Sequence, residues 1–202
     1  KTKDVRHYLS LGTLYQKEGQ FEEALEMYSE VLKRAPESPI TAEHINALYR
    51  EREDSAGLVG KWRELCAKHN DAATPQLYLG MALEKQGELQ EALACYERAV
   101  QIADTNVSAY IKLGTLQITH KMFRAGEESF EKALAIAPET ATREIRVVYG
   151  NLADKLFEAG EFTLAEKYYR LALDLGTQDV RHYIGLGRTY QERGAIDAAL
   201  GM

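Results

Sequence analysis

Five histidines, two cysteines and 31 acidic residues are the side chains of this 202-residue chain that could hold a metal, attack a substrate or move protons. A metal site on a helix needs ligands about four residues apart, so that they stand on one face. None of His7, His44, His69, His120 and His182 has a second His, a Cys or a carboxylate at that spacing. Cys66 and Cys95 are too far apart for a Cys-x-x-Cys motif and too few for a disulfide framework, so they read as thiols in or near a core. Gly57 and Gly60 lack the Gly-Lys-Ser/Thr continuation of a phosphate-binding loop. The adjacent carboxylates Glu22-Glu23 and Glu127-Glu128 read as solvated helix faces rather than acid–base pairs. No catalytic residue, metal or cofactor is therefore expected, and the chain reads as no enzyme.

Charge narrows the partners. Lys and Arg total 25 against the 31 acids, a formal charge of -6, which repels a phosphate backbone. Arg6, Lys17, Arg181 and Arg188 lie near opposite ends of the sequence, with Glu43, Glu51, Glu84 and Asp154 between them, so a continuous basic track for nucleic acid is missing. No apolar run is long enough to insert directly into a membrane. Unpaired cysteines fit the cytoplasm first, although a periplasmic protein could look the same.

The elements that would position any site come from an internal repeat. Asp4-Val-Arg-His-Tyr8 recurs as Asp179-Val-Arg-His-Tyr183, followed by Leu11-Gly12, Tyr15-Gln16 and Gly19 in one place and Leu186-Gly187, Tyr190-Gln191 and Gly194 in the other. A period of about 34 residues fills the interval. Leu-Gly pairs fall at Leu11-Gly12, Leu79-Gly80, Leu113-Gly114 and Leu186-Gly187, degraded to Ile45-Asn46 and Leu152-Ala153. At constant distance come Ala24, Leu58, Ala92, Gly126, Ala165 and Ala199, and then the aromatics Tyr28, Trp62, Tyr96, Phe130 and Tyr169. Tyr8, Leu11, Gly12 and Tyr15 share one helical face, Gly19 favours a left-handed turn, and Phe21, Ala24, Leu25, Tyr28, Val31 and Leu32 form the next stripe. Each unit thus predicts two helices, with small residues permitting close approach and aromatics filling the space beside them.

This pattern resembles the tetratricopeptide repeat over nearly the whole chain. The resemblance implies an all-α fold, a right-handed α-solenoid of antiparallel helix-turn-helix units in one array over residues 1–202. The units are 5–38, 39–72 (degenerate), 73–106, 107–140, 146–179 and a partial 180–202, with a five-residue insertion, 141–145, ahead of the fifth. The insertion contains no Gly or Pro and predicts an extra helical turn. The absent initial Met and the short sixth unit suggest a longer natural chain, with an exposed apolar edge at Ala198, Ala199 and Leu200 able to self-associate.

For function the resemblance implies a protein-interaction scaffold that holds a partner helix or extended peptide in a concave groove lined by the first helix of each unit. The family's groove positions here include Leu77, Met81, Ile111, Thr115, Ile118, Val147, Asp154, Phe157, Arg181, Ile184 and Arg188. Leu77, Met81, Ile111, Ile118, Val147 and Phe157 would form an exposed apolar strip, with Gly150 leaving a dent beside it. The carboxylate-gripping mode of chaperone-binding members needs Lys, Arg or Asn where this chain has Leu9, Thr13, His44, Thr74 and Tyr78. Of the Asn ladder found in members attached to a sugar transferase, only Asn151 is present. Two alternatives stay open: a recruiting arm of a larger multidomain enzyme or assembly, and a self-assembling scaffold.

Overall fold

The computed structural model describes residues 4–194. The expected apolar edge at Ala198, Ala199 and Leu200 lies outside these residues. Among the described residues there are eleven α-helices and no strand: α1 (Val5–Lys17), α2 (Phe21–Arg34), α3 (Pro39–Glu51), α4 (Ser55–Lys68), α5 (Ala73–Gln86), α6 (Leu89–Ile102), α7 (Val107–Thr119), α8 (Phe123–Ile136), α9 (Pro138–Glu158), α10 (Phe162–Asp174) and α11 (Val180–Glu192). The chain divides into two compact units, Lys1–Ala109 and Tyr110–Met202.

Local chemistry sets the helix ends. Asp4 and Asp179 accept the backbone N–H of Arg6 and Arg181, at 3.2 and 3.0 Å, and so cap the orphan donors of α1 and α11. Ser38 caps α3, with Pro39 in its first turn, where no hydrogen bond is lost. Gly19 turns the chain from α1 to α2 at φ +72°, open to a residue without a Cβ. The five surplus residues 141–145 continue α9, which is 21 residues long against 13 in α10. They form part of the core face, since Ala141 and Ile145 are fully buried.

One contact recurs in three hairpins. A Cβ added at Gly12 would stand 2.6 Å from the Tyr28 ring; at Gly80 it would meet Tyr96 at 2.6 Å, and at Gly114 it would meet Phe130 at 2.6 Å. The first helix lacks a side chain so that the second helix can lay a ring against its backbone. Tyr28 and Phe130, like Trp62 and Tyr169 in other hairpins, lean on a ring from the next hairpin within their own unit. In the N-terminal unit Tyr28 stacks on His44, centroids 5.0 Å apart, and Trp62 lies 5.2 Å from Tyr78. In the C-terminal unit Phe130 meets Tyr149 edge-on at 5.4 Å, and Tyr169 lies 6.2 Å from His182. These rings are the centre of each unit's core, and burying each contributes roughly 1.5–3 kcal/mol.

Candidate functional site

Polar tips on the buried rings explain several first-helix residues. The Tyr28 hydroxyl donates to Gln16, the Tyr96 hydroxyl to Glu84, and the Tyr169 hydroxyl to Asp154, at 2.9, 2.7 and 2.6 Å. Trp62 Nε1 donates to Asn46 Oδ1 at 2.9 Å. Phe130 has no hydroxyl, and the place occupied by Gln16 and Glu84 in the other hairpins is taken by Ile118. A Cβ on Gly126 would come within 2.3 Å of the Ile118 side chain, so Ile118 fills the gap between α7 and α8.

This corrects the expected apolar strip. Ile118, Ile111 and Leu77 are 0%, 4% and 6% exposed and offer a partner nothing. The helix α5 packs against α3, α4 and α6, which leaves Leu77 no free side. The helix α7 buries Ala109, Ile111, Leu113, Leu116 and Ile118, more than one stripe. Met81 and Thr115 are half-buried, and the Thr115 hydroxyl donates to the Ile111 carbonyl. The dent at Gly150 is filled as well, because a Cβ there would meet His182 Nε2 at 2.1 Å. The covariation of Tyr28 with Gln16, Tyr96 with Glu84 and Phe130 with Ile118 was the sequence signal for these assignments.

The remaining residues converge. Asp154, Phe157, Arg181, Ile184 and Arg188 line one open cleft of about 660 Å³ between α9 and α11, with Glu158, Phe162, Tyr169 and Glu192 around them. Val147 lines a smaller hollow of about 280 Å³ with Asn151, and the two hollows share Arg181. The floor is built rather than loose. Phe157 packs edge-on against Phe162, 5.5 Å between centroids, and the Arg188 guanidinium lies 4.7 Å over the Phe157 ring. Asp154 is fixed by the Tyr169 hydroxyl, whose pKa is raised by burial first and by the Asp154 carboxylate second. Arg181 is held by Asp179 at 2.6 Å, and that ion pair, with the Arg181 backbone N–H, draws the Asp179 carboxyl down to about 2. Two apolar side chains face water here, Ile184 at 57% and Val147 at 51% exposed.

Several groups that could do chemistry have structural partners. His44 and His182 are ring partners of Tyr28 and Tyr169. The His120 Nδ1 lies 2.8 Å from the Leu116 carbonyl, and the backbone N–H of His69 closes the end of α4 while its buried Nε2 has no hydrogen-bond partner. Burial pushes the Cys66 thiol up to about 12 and the Cys95 thiol up to about 11, so neither is a ready nucleophile at neutral pH. Among the described residues no group of three or more His, Cys, Asp or Glu is placed to hold a metal, and no helix is long and apolar enough to cross a membrane.

Comparison with known proteins gives consistent matches. Family models described as "Tetratricopeptide repeat" match residues 5–38 and 71–139. The chain is 24% identical over 199 residues to "Protein CTR9 homolog" of Arabidopsis thaliana, covering 95% of this chain and 18% of that protein. It is 28% identical over 132 residues to "Protein O-mannosyl-transferase Tmtc3" of Drosophila melanogaster, covering 59% of this chain and 14% of that one. It thus spans less than a fifth of either relative. Among solved structures, the type IV pilus biogenesis factor PilW superposes with a TM-score of 0.62 at 16% identity, covering all of this chain and 91% of the other, which is a likeness of fold.

Proposed function

Because the chain belongs to the tetratricopeptide repeat family, we propose that it is a non-catalytic scaffold holding a segment of a partner protein, helix or extended peptide, in the cleft between α9 and α11. The observation that carries this is the pairing of exposed Ile184 with the Phe157–Arg188 stack in that cleft. An apolar side chain left in water on a rigid floor is what a partner's apolar anchor covers. Arg188 lies over a ring, and its N–H groups can reach a partner carboxylate or carbonyl. Asn151, exposed on the same side of α9, offers an amide to an extended backbone.

The test uses Ile184→Asp with Arg188→Glu. Both side chains are exposed, so helicity and unfolding midpoint should stay unchanged. A photo-crosslinker placed at Val147 should capture a partner on the unsubstituted chain and lose it on the double variant. Equal capture by both would sink the cleft as the site.

A second reading has its own support. The match to part of a much longer O-mannosyl-transferase fits a recruiting arm within a larger enzyme. The same cleft would then hold a protein substrate, and its double variant would lower turnover of that substrate while leaving a short peptide substrate unaffected.

A further inference from the structure

The cleft between α9 and α11 carries an order of charges as well as an apolar anchor point. Along α11 it is lined by Arg181, Ile184, Arg188 and Glu192. Steps of three or four residues put these on one side of the helix, with a rise of roughly 4.5–6 Å between neighbours. From its N-terminal end that side reads cation, apolar, cation, anion. The helix α9 adds Asp154, Phe157 and Glu158. Both helices pack on α10 and are joined to it by short turns, so they run the same way. Glu158 is the last residue of α9 and Glu192 the last of α11, and the two carboxylates therefore stand toward the same end of the cleft.

These charges are not equally available. Arg181 is neutralised by Asp179 at 2.6 Å, and Asp154 already accepts the Tyr169 hydroxyl. Arg188 lies over the Phe157 ring, and among the described residues it has no ion-pair partner. Glu158 and Glu192 are exposed and likewise unpaired among the described residues. They sit at two helix C-termini, where the backbone dipoles are also negative, so a cation from outside is stabilised there. Lys155, in the last turn of α9, does not line the cleft. What a partner meets is thus an apolar side chain at Ile184, one cation beside it at Arg188, and an acidic end beyond.

We propose, resting on the cleft as the binding site, that its occupant is an amphipathic helix whose cleft-facing row reads apolar, acidic, basic at four-residue steps. The apolar side chain covers Ile184, the acid meets Arg188, and the base meets Glu158 and Glu192. A helix laid in a groove offers its anchors at such steps. Its rise of about 6 Å per step is the same as that from Ile184 to Arg188 and from Arg188 to Glu192 along α11. A row of a single sign fits worse. An all-acidic row sets a charge against Glu158 and Glu192, and an all-basic row sets one against Arg188 right beside the anchor.

The experiment pans a phage-displayed library of random linear peptides on the whole chain, with the Ile184→Asp chain as counter-selection. Peptides of about 16 residues are long enough for a helix to form on binding. Clones that need Ile184 should carry an apolar residue, Asp or Glu four places along, and Lys or Arg four places further, in either chain direction. At the middle position acids should outnumber bases roughly tenfold. Panned on Arg188→Glu, the middle preference should reverse, and on Arg188→Gln it should vanish while the apolar position persists. Ile184-dependent clones with the charges in another order would overturn the proposal and leave the cleft as the site. So would clones whose contacts fall at two-residue steps, as those of an extended segment do. If no clone depends on Ile184, the cleft itself fails, and this proposal with it.

Discussion

The hairpins α5–α6 and α7–α8 solve one packing problem with different chemistry. Both bring a ring within van der Waals contact of a glycine, Tyr96 on Gly80 and Phe130 on Gly114, with the same close approach. Beyond that point they part. The Tyr96 hydroxyl needs an acceptor and finds Glu84. Phe130 needs none, and Ile118 closes the space with hydrocarbon. The turns differ as well, with Gly87 at φ +81° in one and Lys121 at φ +62° in the other. The glycine–ring contact is thus common to the two hairpins, while the ring's tip and the turn differ between them.

The harshest way to break the comparison is to put the polar solution into the apolar hairpin. Ile118→Asp places a carboxylate at a fully buried site opposite Phe130, where no donor is waiting. A loss of about 3 kcal/mol or more is expected, from the cost of a buried unpaired polar group plus the lost packing. Urea unfolding monitored by helicity measures it. Ile184→Asp in the cleft should cost almost nothing by the same measurement, which separates a folding residue from a binding one.

A milder test exchanges the tips. Glu84→Ile alone strands the Tyr96 hydroxyl and should cost about 1–3 kcal/mol. Tyr96→Phe alone strands the carboxylate less, because Glu84 is half-exposed and water can reach it. The double variant rebuilds the α7–α8 tip inside α5–α6, so most of the loss should return. Additive losses across this double-mutant cycle would show that the two residues do not act as a pair.

Alkaline pH sharpens the same contrast. Burial, and then the Glu84 hydrogen bond, raise the Tyr96 pKa above its ordinary 10.0. A raised folded-state value means that the native chain keeps its proton longer than the unfolded chain. The stabilisation is therefore complete below about pH 10 and is lost as pH climbs from there toward the folded value. Tyr28, Tyr49, Tyr78, Tyr149, Tyr168 and Tyr169 are shifted the same way. Cooperative unfolding above pH 10 is expected, and Tyr96→Phe should move its midpoint upward. Phe130 contributes nothing to it.

The elements were legible because their signals are local. Gly12, Tyr28 and the left-handed Gly19 identify a hairpin without help from the rest of the chain. The helical character of residues 141–145 was legible for the same reason, since nothing in them stops a helix. Exposure was not legible at Leu77, Ile111 and Ile118, because it depends on which neighbours close over a position. Ile118 occupies a family groove position yet points at α8, and only its pairing with Phe130 reveals that. Asp154, Phe157, Arg181, Ile184 and Arg188 came out together because α9 and α11 are the first helices of neighbouring hairpins and pack on each other.

The turn supplies the smallest and cleanest comparison. Lys121 holds a left-handed φ that costs an L-residue roughly 1–2 kcal/mol, whereas Gly87 adopts it freely. Lys121→Gly removes that strain but gives the unfolded chain back about 0.4–1 kcal/mol of backbone freedom. It also deletes an ion pair with Glu161 at 3.1 Å, whose lysine is 72% exposed, so little is lost there. The balance is a gain of about 0.5 kcal/mol, and Gly87→Lys should lose a similar amount or more. A shift of the urea midpoint with an unchanged slope would report it. If Lys121→Gly destabilises instead, the α7–α8 turn depends on the lysine side chain, and the two turns are not equivalent solutions.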